Sequence, residues 1–380
     1  MSNNVLRNLN LVVVSHITQA YGPMEGLRDY LSENVNKFSL ITYPLYNYSG
    51  CSSHQIIVRG QKSSEHAIRI PQAPEFLHYL FGFIFTLWFV LKSKKRYDLY
   101  IGIDNLNALL ALFLKKIGIV HKVVFYVGDY SEQRFKFVLL NLLYNLMTML
   151  CAKHADIIWS ISSRASRKLE EQGANKEHTF VVPNGVNFKK IPKCEQRKSD
   201  SVKRLIFVGH LTQTKGVADV LKEFPDIIQR FKDVKLFVVG SGPYETQLKG
   251  LVQSLNLQNY VEFLGYMDHD EVLKLLPKFD IGLAPYTNYD DYVKFCDPVK
   301  VKEYLACGCA VIISNIPEIA LEISREHAGL VYATNDELKN SILSLLKDDN
   351  ALNDFRRNAL ELSKKYDWTS IFDRAFSMIG

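Results

Sequence analysis

The stretch LIFVGHLTQTKG, residues 205–216, decides how the rest of the chain is read. Leu205, Ile206, Phe207 and Val208 are consecutive apolar residues and read as a buried strand. Gly209 then lets the backbone turn or approach another group closely. A polar loop carrying His210, Thr212, Gln213, Thr214 and Lys215 leads into the helical pattern VADVLKEFPDIIQRF, residues 217–231. A cation ahead of a helix start, beside free backbone N–H groups, is suited to an anion. On this fragment alone an ordinary strand-to-helix turn reads the same way.

Working outward, the alternation repeats. RLIFVG, VKLFVVG, YVEFLG, FDIGLAPY, AVIIS and GLVYA are strand-like runs of the second half. The first half offers NLVVVS, FSLITY, HQIIVR, DLYIGI, KVVFYV, DIIWSI and TFVVPN, with helical patterns such as GLRDYLSENV and FVLLNLLYNLMTMLCAK between some of them. Continuous aliphatic strands separated by helices imply an α/β chain with parallel sheets covered on both faces. At 380 residues the chain exceeds what one core usually serves. The charged stretch NFKKIPKCEQRKSDSVKR reads as a linker. The expected division is a first domain over 1–188, a linker over 189–203, a second domain over 204–362 and a final helix over 363–380. Ligands of doubly wound folds bind at the carboxyl ends of the strands, so the working cleft is expected between two such domains.

Composition excludes several classes. With 47% hydrophobic and 23% charged residues the chain is an ordinary globular protein, and a net charge of +6 falls short of a nucleic-acid-binding signature. Cys51, Cys151, Cys194 and Cys296 are scattered, and Cys307-Gly-Cys309 lacks zinc or thioredoxin-like spacing, so small buried thiols in a reducing cytosol are expected. The start, MSNNVLRNLNLVVVSH, carries no signal-peptide core. The run FLHYLFGFIFTLWFVL, residues 76–91, is shorter than a membrane span and contains His78. It reads as an aromatic core helix or, with Lys92, Lys94, Lys95 and Arg96 behind it, as an interfacial helix on an anionic membrane. The two are compatible if one face is buried.

Polar residues and glycines collect at the strand ends of the second half. In CDPVKVKEYLACGCAVI, from Cys296, Asp297 suits an N-cap, Pro298 a first helical residue and Gly308 a C-terminal stop. The helix expected over 298–307, with Pro298 and Val299 at its start, offers an anion the free backbone N–H groups of its N-terminus. Glu303, about 1.5 turns in, is placed to accept from a diol such as a ribose whose phosphate sits at the helix start. Taken singly, Glu303 reads as a solvated helix residue.

VPNGVN, FVGHLTQTKG, GSGPYETQL, VEFLGYMDHDEV, FDIGLAPY and DPVKVKEYLACGCAVI together resemble glycosyltransferase family 4, in its order and spacing over residues 183–320. GPMEGLRDYL, IGIDNLNALLALFLKKIG, FYVGDYSEQRF and ADIIWSIS carry a looser likeness. YDWTSIFDRAF resembles the final helix that crosses back to the first domain. The resemblance implies the GT-B architecture, with two Rossmann-like domains facing a cleft. It also implies retaining transfer of a sugar from a nucleotide diphosphate sugar, without metal or cofactor. The donor would lie on the second domain and the acceptor on the first.

By the same resemblance Gly209, His210 and Lys215 meet the diphosphate, His210 standing where Arg is usual. Glu303 holds the donor ribose, and the loop at Gly265 meets the base. Phe295 replaces the first Glu of the family's paired motif, with Asp291 and Asp297 as nearby substitutes, and Ala310 replaces a usual Pro. The stretch is similar to the PxKxxEYxAxG variant of polysaccharide assembly enzymes. On the first domain, Asp129 lies near where the family places a residue beside the transferred sugar, or else it caps the next helix with Tyr130. Gly22 begins a helix whose N–H groups face the acceptor side, and His16 reads as a satisfied structural residue. The expected partners are a nucleotide diphosphate sugar and a glycan or polyprenyl-linked acceptor, at the inner face of a membrane. A nucleotide-sugar epimerase or phosphorylase on the same fold, or a non-catalytic subunit supporting a partner transferase, are the alternatives.

Overall fold

The computed structural model describes residues 3–17, 21–46, 51–70, 74–135, 137–192, 202–287 and 291–379, without the side chains of residues 3–5, 17, 76 and 291. The greater part of the expected linker, residues 193–201, therefore lies outside the described residues, as do Cys194 and the side chain of Asp291. The chain divides into two compact units: residues 1–184 with 368–380, and residues 185–367. Residues 363–367, read from sequence as part of the final helix, thus cluster with the second unit.

Unit 1 is built on eight strands: β1 Leu11–Ile17, β2 Lys37–Pro44, β3 Cys51–Val58, β4 Gln61–Arg69, β5 Tyr97–Ile103, β6 Val120–Val127, β7 Ile157–Ser160 and β8 Thr179–Val181. Their order is β4-β3-β2-β1-β5-β6-β7-β8. All pairs are parallel except β2–β3 and β3–β4, which are antiparallel. The all-parallel expectation fails at this edge. β4 reads QKSSEHAIR and is largely exposed, so no apolar run announced it. It is folded back by Arg59 (φ 48°) and Gly60 (φ 76°), the positive pair that a two-residue hairpin turn requires.

The helix Trp368–Ser377 packs within unit 1. Gly26 makes room for it, since a Cβ there would come within 2.4 Å of the Trp368 ring. Trp368 stacks on Phe372 at 5.1 Å, Phe376 meets Trp159 edge-on at 5.3 Å, and Tyr30 Oη donates to Asp373 at 2.7 Å.

Unit 2 holds six parallel strands: β9 Lys203–Val208, β10 Val234–Val239, β11 Val261–Gly265, β12 Ile281–Ala284, β13 Ala310–Ser314 and β14 Gly329–Tyr332. Their order is β11-β10-β9-β12-β13-β14, so the winding reverses between β9 and β12. In unit 1 it reverses between β1 and β5. At such switch points the flanking helices lie on opposite faces and leave a crevice beyond the carboxyl ends of the strands.

The thiols are less uniform than expected. Cys151, Cys307 and Cys309 are buried, but Cys51 is exposed.

Candidate functional site

In unit 2 the residues of interest gather beyond β9 and β12. Gly209 (φ 144°) and Gly240 (φ 127°) bring two loops together backbone to backbone: a Cβ on Gly240 would lie 2.0 Å from the Gly209 carbonyl oxygen. Gly216 (φ 69°) ends the turn Gln213–Lys215 against Pro285, where a Cβ would meet the carbonyl oxygen at 1.5 Å. These contacts tolerate no side chain. They fix Lys215, whose Nζ donates to Tyr292 Oη at 2.5 Å and lies 5.0 Å from the centre of the Tyr286 ring.

The second cation of this crevice is Lys300, a residue inside the quoted motif that sequence reasoning did not single out. Its Nζ lies 3.9 Å from the Phe207 ring centre and 4.8 Å from that of Tyr286. Burial holds its pKa well below the ordinary lysine value, and the neighbouring Lys215 cation pushes in the same direction. Lys215 and Lys300 thus share one aromatic ring with opposed fields. A bound polyanion would relieve both. The spacing PxK was the available signal, but nothing in the linear sequence placed its lysine beside Lys215. His210 is exposed at the same loop.

The helix Val299–Ala306 follows, with Pro298 as N-cap and Gly308 (φ 70°) just past its end. The expectation for Asp297 is corrected: it does not cap the helix but accepts from Lys302 Nζ, a side chain with no exposure. A fully desolvated ammonium requires that partner, so the carboxylate of Asp297 is committed inside the fold and is not free for a donor. Glu303 is buried, so the reading of it singly as a solvated helix residue does not hold. Its Oε1 lies 2.6 Å from His269 Nε2, at the start of the helix His269–Leu275. Tyr304 Oη accepts from Val208 N at 2.8 Å, tying this helix to the end of β9. Gly265 (φ 72°) accepts from Gly240 N at 2.7 Å and faces open space. Phe295, in place of a carboxylate, is buried.

In unit 1 a cavity of about 340 Å³ lies beyond the ends of β1, β5 and β6. Its polar floor is His16, Asp104, Asp129 and Arg134; Tyr79, Phe83, Leu143 and Met147 are among its apolar walls. Asp129 accepts from Arg134 at 2.5 Å. It does not cap the next helix, Val138–His154, whose N-cap is Phe137 with no side-chain bond. His16 departs from expectation: both ring nitrogens lack a hydrogen-bond partner among the described residues. Burial, with smaller contributions from Arg134 and His78, pushes its pKa down to about 3. Its Nδ1 is 4.0 Å from Asp104.

Asp104 was missed from sequence. It adopts φ 68°, ψ 166°, a region that strains any residue with a side chain by roughly 1–3 kcal/mol. Partial burial raises its pKa to about 6. Gly22 starts the helix Pro23–Asn34 as expected, yet its N–H already donates to Glu25 at 3.0 Å and is not free for a ligand.

Comparison with known proteins adds three findings. Residues 189–362 match the family described as glycosyl transferases group 1. A phosphatidyl-myo-inositol mannosyltransferase of Mycolicibacterium smegmatis is 24% identical over 224 residues, 57% of this chain and 56% of that protein. The chain spans about half the length of the first curated relatives it matches. In fold, a sucrose-phosphate synthase of Thermosynechococcus elongatus superposes with a TM-score of 0.75 at 16% identity over 98% of both chains. Anabaena HepE in complex with UDP gives 0.72 at 15% identity, over 98% of this chain and 99% of that one. These are GT-B structures, and GT-B is the fold of this chain.

Proposed function

We propose that this chain, which belongs to the glycosyl transferases group 1 family through residues 189–362, moves a sugar from a nucleotide diphosphate sugar to a glycan or lipid-linked acceptor with retention of configuration. The observation that carries the reading is the Lys215–Lys300 pair at the switch point of unit 2, two lysine Nζ atoms 5.0 and 4.8 Å from the centre of one tyrosine ring, that of Tyr286. Such a pair is suited to a diphosphate, and most strongly to the charge that builds on it as the sugar departs. Lys215 and Lys300, with the free backbone N–H groups from Val299 onward at the helix start that follows Pro298, take the phosphates, with His210 at the rim. Glu303, oriented by His269, takes the ribose hydroxyls, and Gly265 leaves room for the base. Phe295 leaves the donor sugar without the usual carboxylate, so its hydroxyls are read by other groups of the crevice.

No covalent nucleophile is required if the leaving phosphate assists attack on the same face of the sugar. The acceptor belongs to unit 1, where Asp129 and Asp104 are placed to accept from its hydroxyls. The reaction takes no metal and no cofactor beyond the donor. The test is a thermal-shift screen of UDP, GDP and ADP, followed by turnover with the matching nucleotide sugars. Stabilisation by one diphosphate, and its acceptor-dependent release from the sugar, are expected. Stabilisation by none sinks the reading, and an epimerised donor replaces it with the epimerase.

A further inference from the structure

The apolar surface of unit 1 is out of proportion to its core. On the helix Val138–His154 and the residue before it, Phe137, Val138 and Leu139 are 74%, 75% and 78% exposed, and Leu142 and Leu146 follow on the same side. The neighbouring face of this helix, through Leu140, Leu143, Tyr144 and Met147, lines the cavity. Across that cavity the helix Glu75–Lys92 behaves alike. Its inner side is packed: His78 bonds to Pro44 O at 2.8 Å, and Gly82 lies against Tyr43. Its outer side shows Leu77, Leu80, Ile84, Trp88 and Leu91, spaced by three and four as one helical stripe. The inner face answers the reading of residues 76–91 as a core helix, and the outer face leaves an apolar stripe exposed. Among the described residues, no helix is long and apolar enough to cross a membrane.

Charge indicates what covers this surface. Lys92, Lys94, Lys95 and Arg96 are all exposed where the first helix ends, and Lys153 is exposed near the end of the second. Apolar stripes with cations at their ends are complementary to an anionic bilayer, where the stripe enters the acyl boundary and the cations stay among phosphates. The cavity between the helices has the opposite character at its floor. Asp104 and Asp129 accept from hydroxyls there, Asp129 with its charge paired to Arg134, and the ring of His16, with neither nitrogen bonded among the described residues, awaits a donor or acceptor.

We propose that the helices Glu75–Lys92 and Val138–His154 dock unit 1 on an anionic lipid surface. The cavity between them then opens on the bilayer and admits an amphiphile, its polyhydroxylated head on the Asp104–Asp129 floor and its chain along the apolar walls. In calling that amphiphile the acceptor, the proposal rests on the transferase reading; the docking itself does not.

The experiment uses the full chain and its own reporter. Trp88, Trp159 and Trp368 are its three tryptophans, and of these only Trp88 is exposed. Phosphatidylcholine vesicles with about one third phosphatidylglycerol should shift Trp88 emission to the blue and sediment the protein at least about tenfold more tightly than pure phosphatidylcholine, the difference shrinking with salt. Leu139→Glu with Leu142→Glu should abolish the shift and lower binding about tenfold or more, while leaving UDP, GDP and ADP thermal shifts as in wild type. Equal binding to both vesicle types, or an unaffected double variant, overturns the docking. A dimer in light scattering that the double variant dissolves overturns it as well, since the face would then join two copies of the chain.

For the cavity, dodecyl maltoside below its micelle concentration should stabilise the protein. A dodecyl polyoxyethylene ether should not, and Asp104→Asn with Asp129→Asn should remove the difference. Equal effects of the two detergents overturn the hydroxyl-reading floor. If no nucleoside diphosphate binds while the vesicle and detergent results stand, the transferase reading fails and the lipid site remains.

Discussion

Both units place their polar residues at the same topological point, yet they build opposite sites there. In unit 2 the crevice beyond β9 and β12 is lined by the cations Lys215 and Lys300 over aromatic rings. In unit 1 the cavity beyond β1 and β5 has two carboxylates at its floor, one of them paired with Arg134, beside His16 and under apolar walls. The winding of each sheet fixes where a ligand goes, and the side chains at the strand ends fix what that ligand is. The second difference is in how charge is held. Unit 2 buries its ion pair: Lys302 is 0% and Asp297 8% exposed. Unit 1 leaves Arg134 and Asp129 at 38% and 42% exposed.

The sharpest way to break that contrast is to cut the buried pair. Asp297→Ala removes the carboxylate that balances the fully buried Lys302 ammonium, which costs about 3–5 kcal/mol and roughly 10 °C of melting temperature for a unit of this size. Lys302→Met added to it should recover most of the loss. The loss should be confined to unit 2. All three tryptophans belong to unit 1, so their fluorescence should report an unchanged transition while calorimetry records the shift. A full-sized effect in the tryptophan signal would show that the units do not melt separately.

Next in size is the diphosphate crevice. Lys215→Ala removes a charge-assisted contact worth about 1.5–3 kcal/mol, one to two orders of magnitude in nucleotide affinity, with the fold intact by circular dichroism. Lys300→Met should lose a similar amount and carry a pH signature. Because burial and Lys215 lower the Lys300 pKa in the free protein, binding a diphosphate raises it, and a proton is taken up where the pH lies between the free and bound values. Affinity should therefore fall as pH rises through the bound-state value. Calorimetry in two buffers of different ionisation enthalpy measures that proton. A proton count unchanged in Lys300→Met would remove Lys300 from the site.

Much of this was legible in sequence, and the misses share a cause. Every parallel strand of unit 2 announced itself as an apolar run, because a strand covered on both faces has nowhere to put polar residues. β4 did not, because an edge strand held by hairpin pairing needs no apolar side. Gly209, Lys215 and Gly308 were found because the backbone and loop chemistry there is local. Lys300, His269 and Asp104 were missed because their roles arise from neighbours far along the chain: Phe207 for Lys300, Glu303 for His269, and the end of β6 for Asp104. Asp297 was misread for the complementary reason. Its sequence context suits a cap, but a buried lysine five residues later claims it. The exposed face of Val138–His154 was invisible, since an apolar helix reads the same whether its stripe meets a core or solvent.

A smaller effect separates the floor residues of unit 1 by pH. Asp104 has a folded pKa of about 6, raised by burial above the ordinary aspartate value near 3.9, so the folded state holds its proton more tightly. Its contribution to stability is fully present below about pH 4 and is lost as pH rises towards 6. His16 has the opposite sign: lowered to about 3, it favours folding increasingly as pH rises towards 6.5. Over pH 4–6 the two oppose each other. Asp104→Asn should make the tryptophan-monitored melting temperature rise more steeply with pH, and His16→Gln should make it fall. Identical slopes in both variants would mean that neither group is perturbed by the cavity.

The smallest expected effect concerns Asp129 and Arg134, and it tests whether exposure governs the contrast between the units. Each side chain is more than a third exposed, so water screens the pair and solvates whichever partner is left behind. Such pairs contribute about 0–1 kcal/mol, against several for Asp297–Lys302. Arg134 is also held by its backbone, its N–H donating to Asn141 Oδ1 at 2.8 Å, so the loop should keep its course without the ion pair. Asp129→Asn should therefore leave the melting temperature of unit 1 within a degree or two, while acceptor turnover or dodecyl maltoside stabilisation falls. Stability can then be read by tryptophan fluorescence and ligand response in the same sample. A loss of stability as large as that of Asp297→Ala would mean that Asp129 is a structural anchor of the loop. An unchanged ligand response would mean that the cavity floor is read by Asp104 and His16 without it.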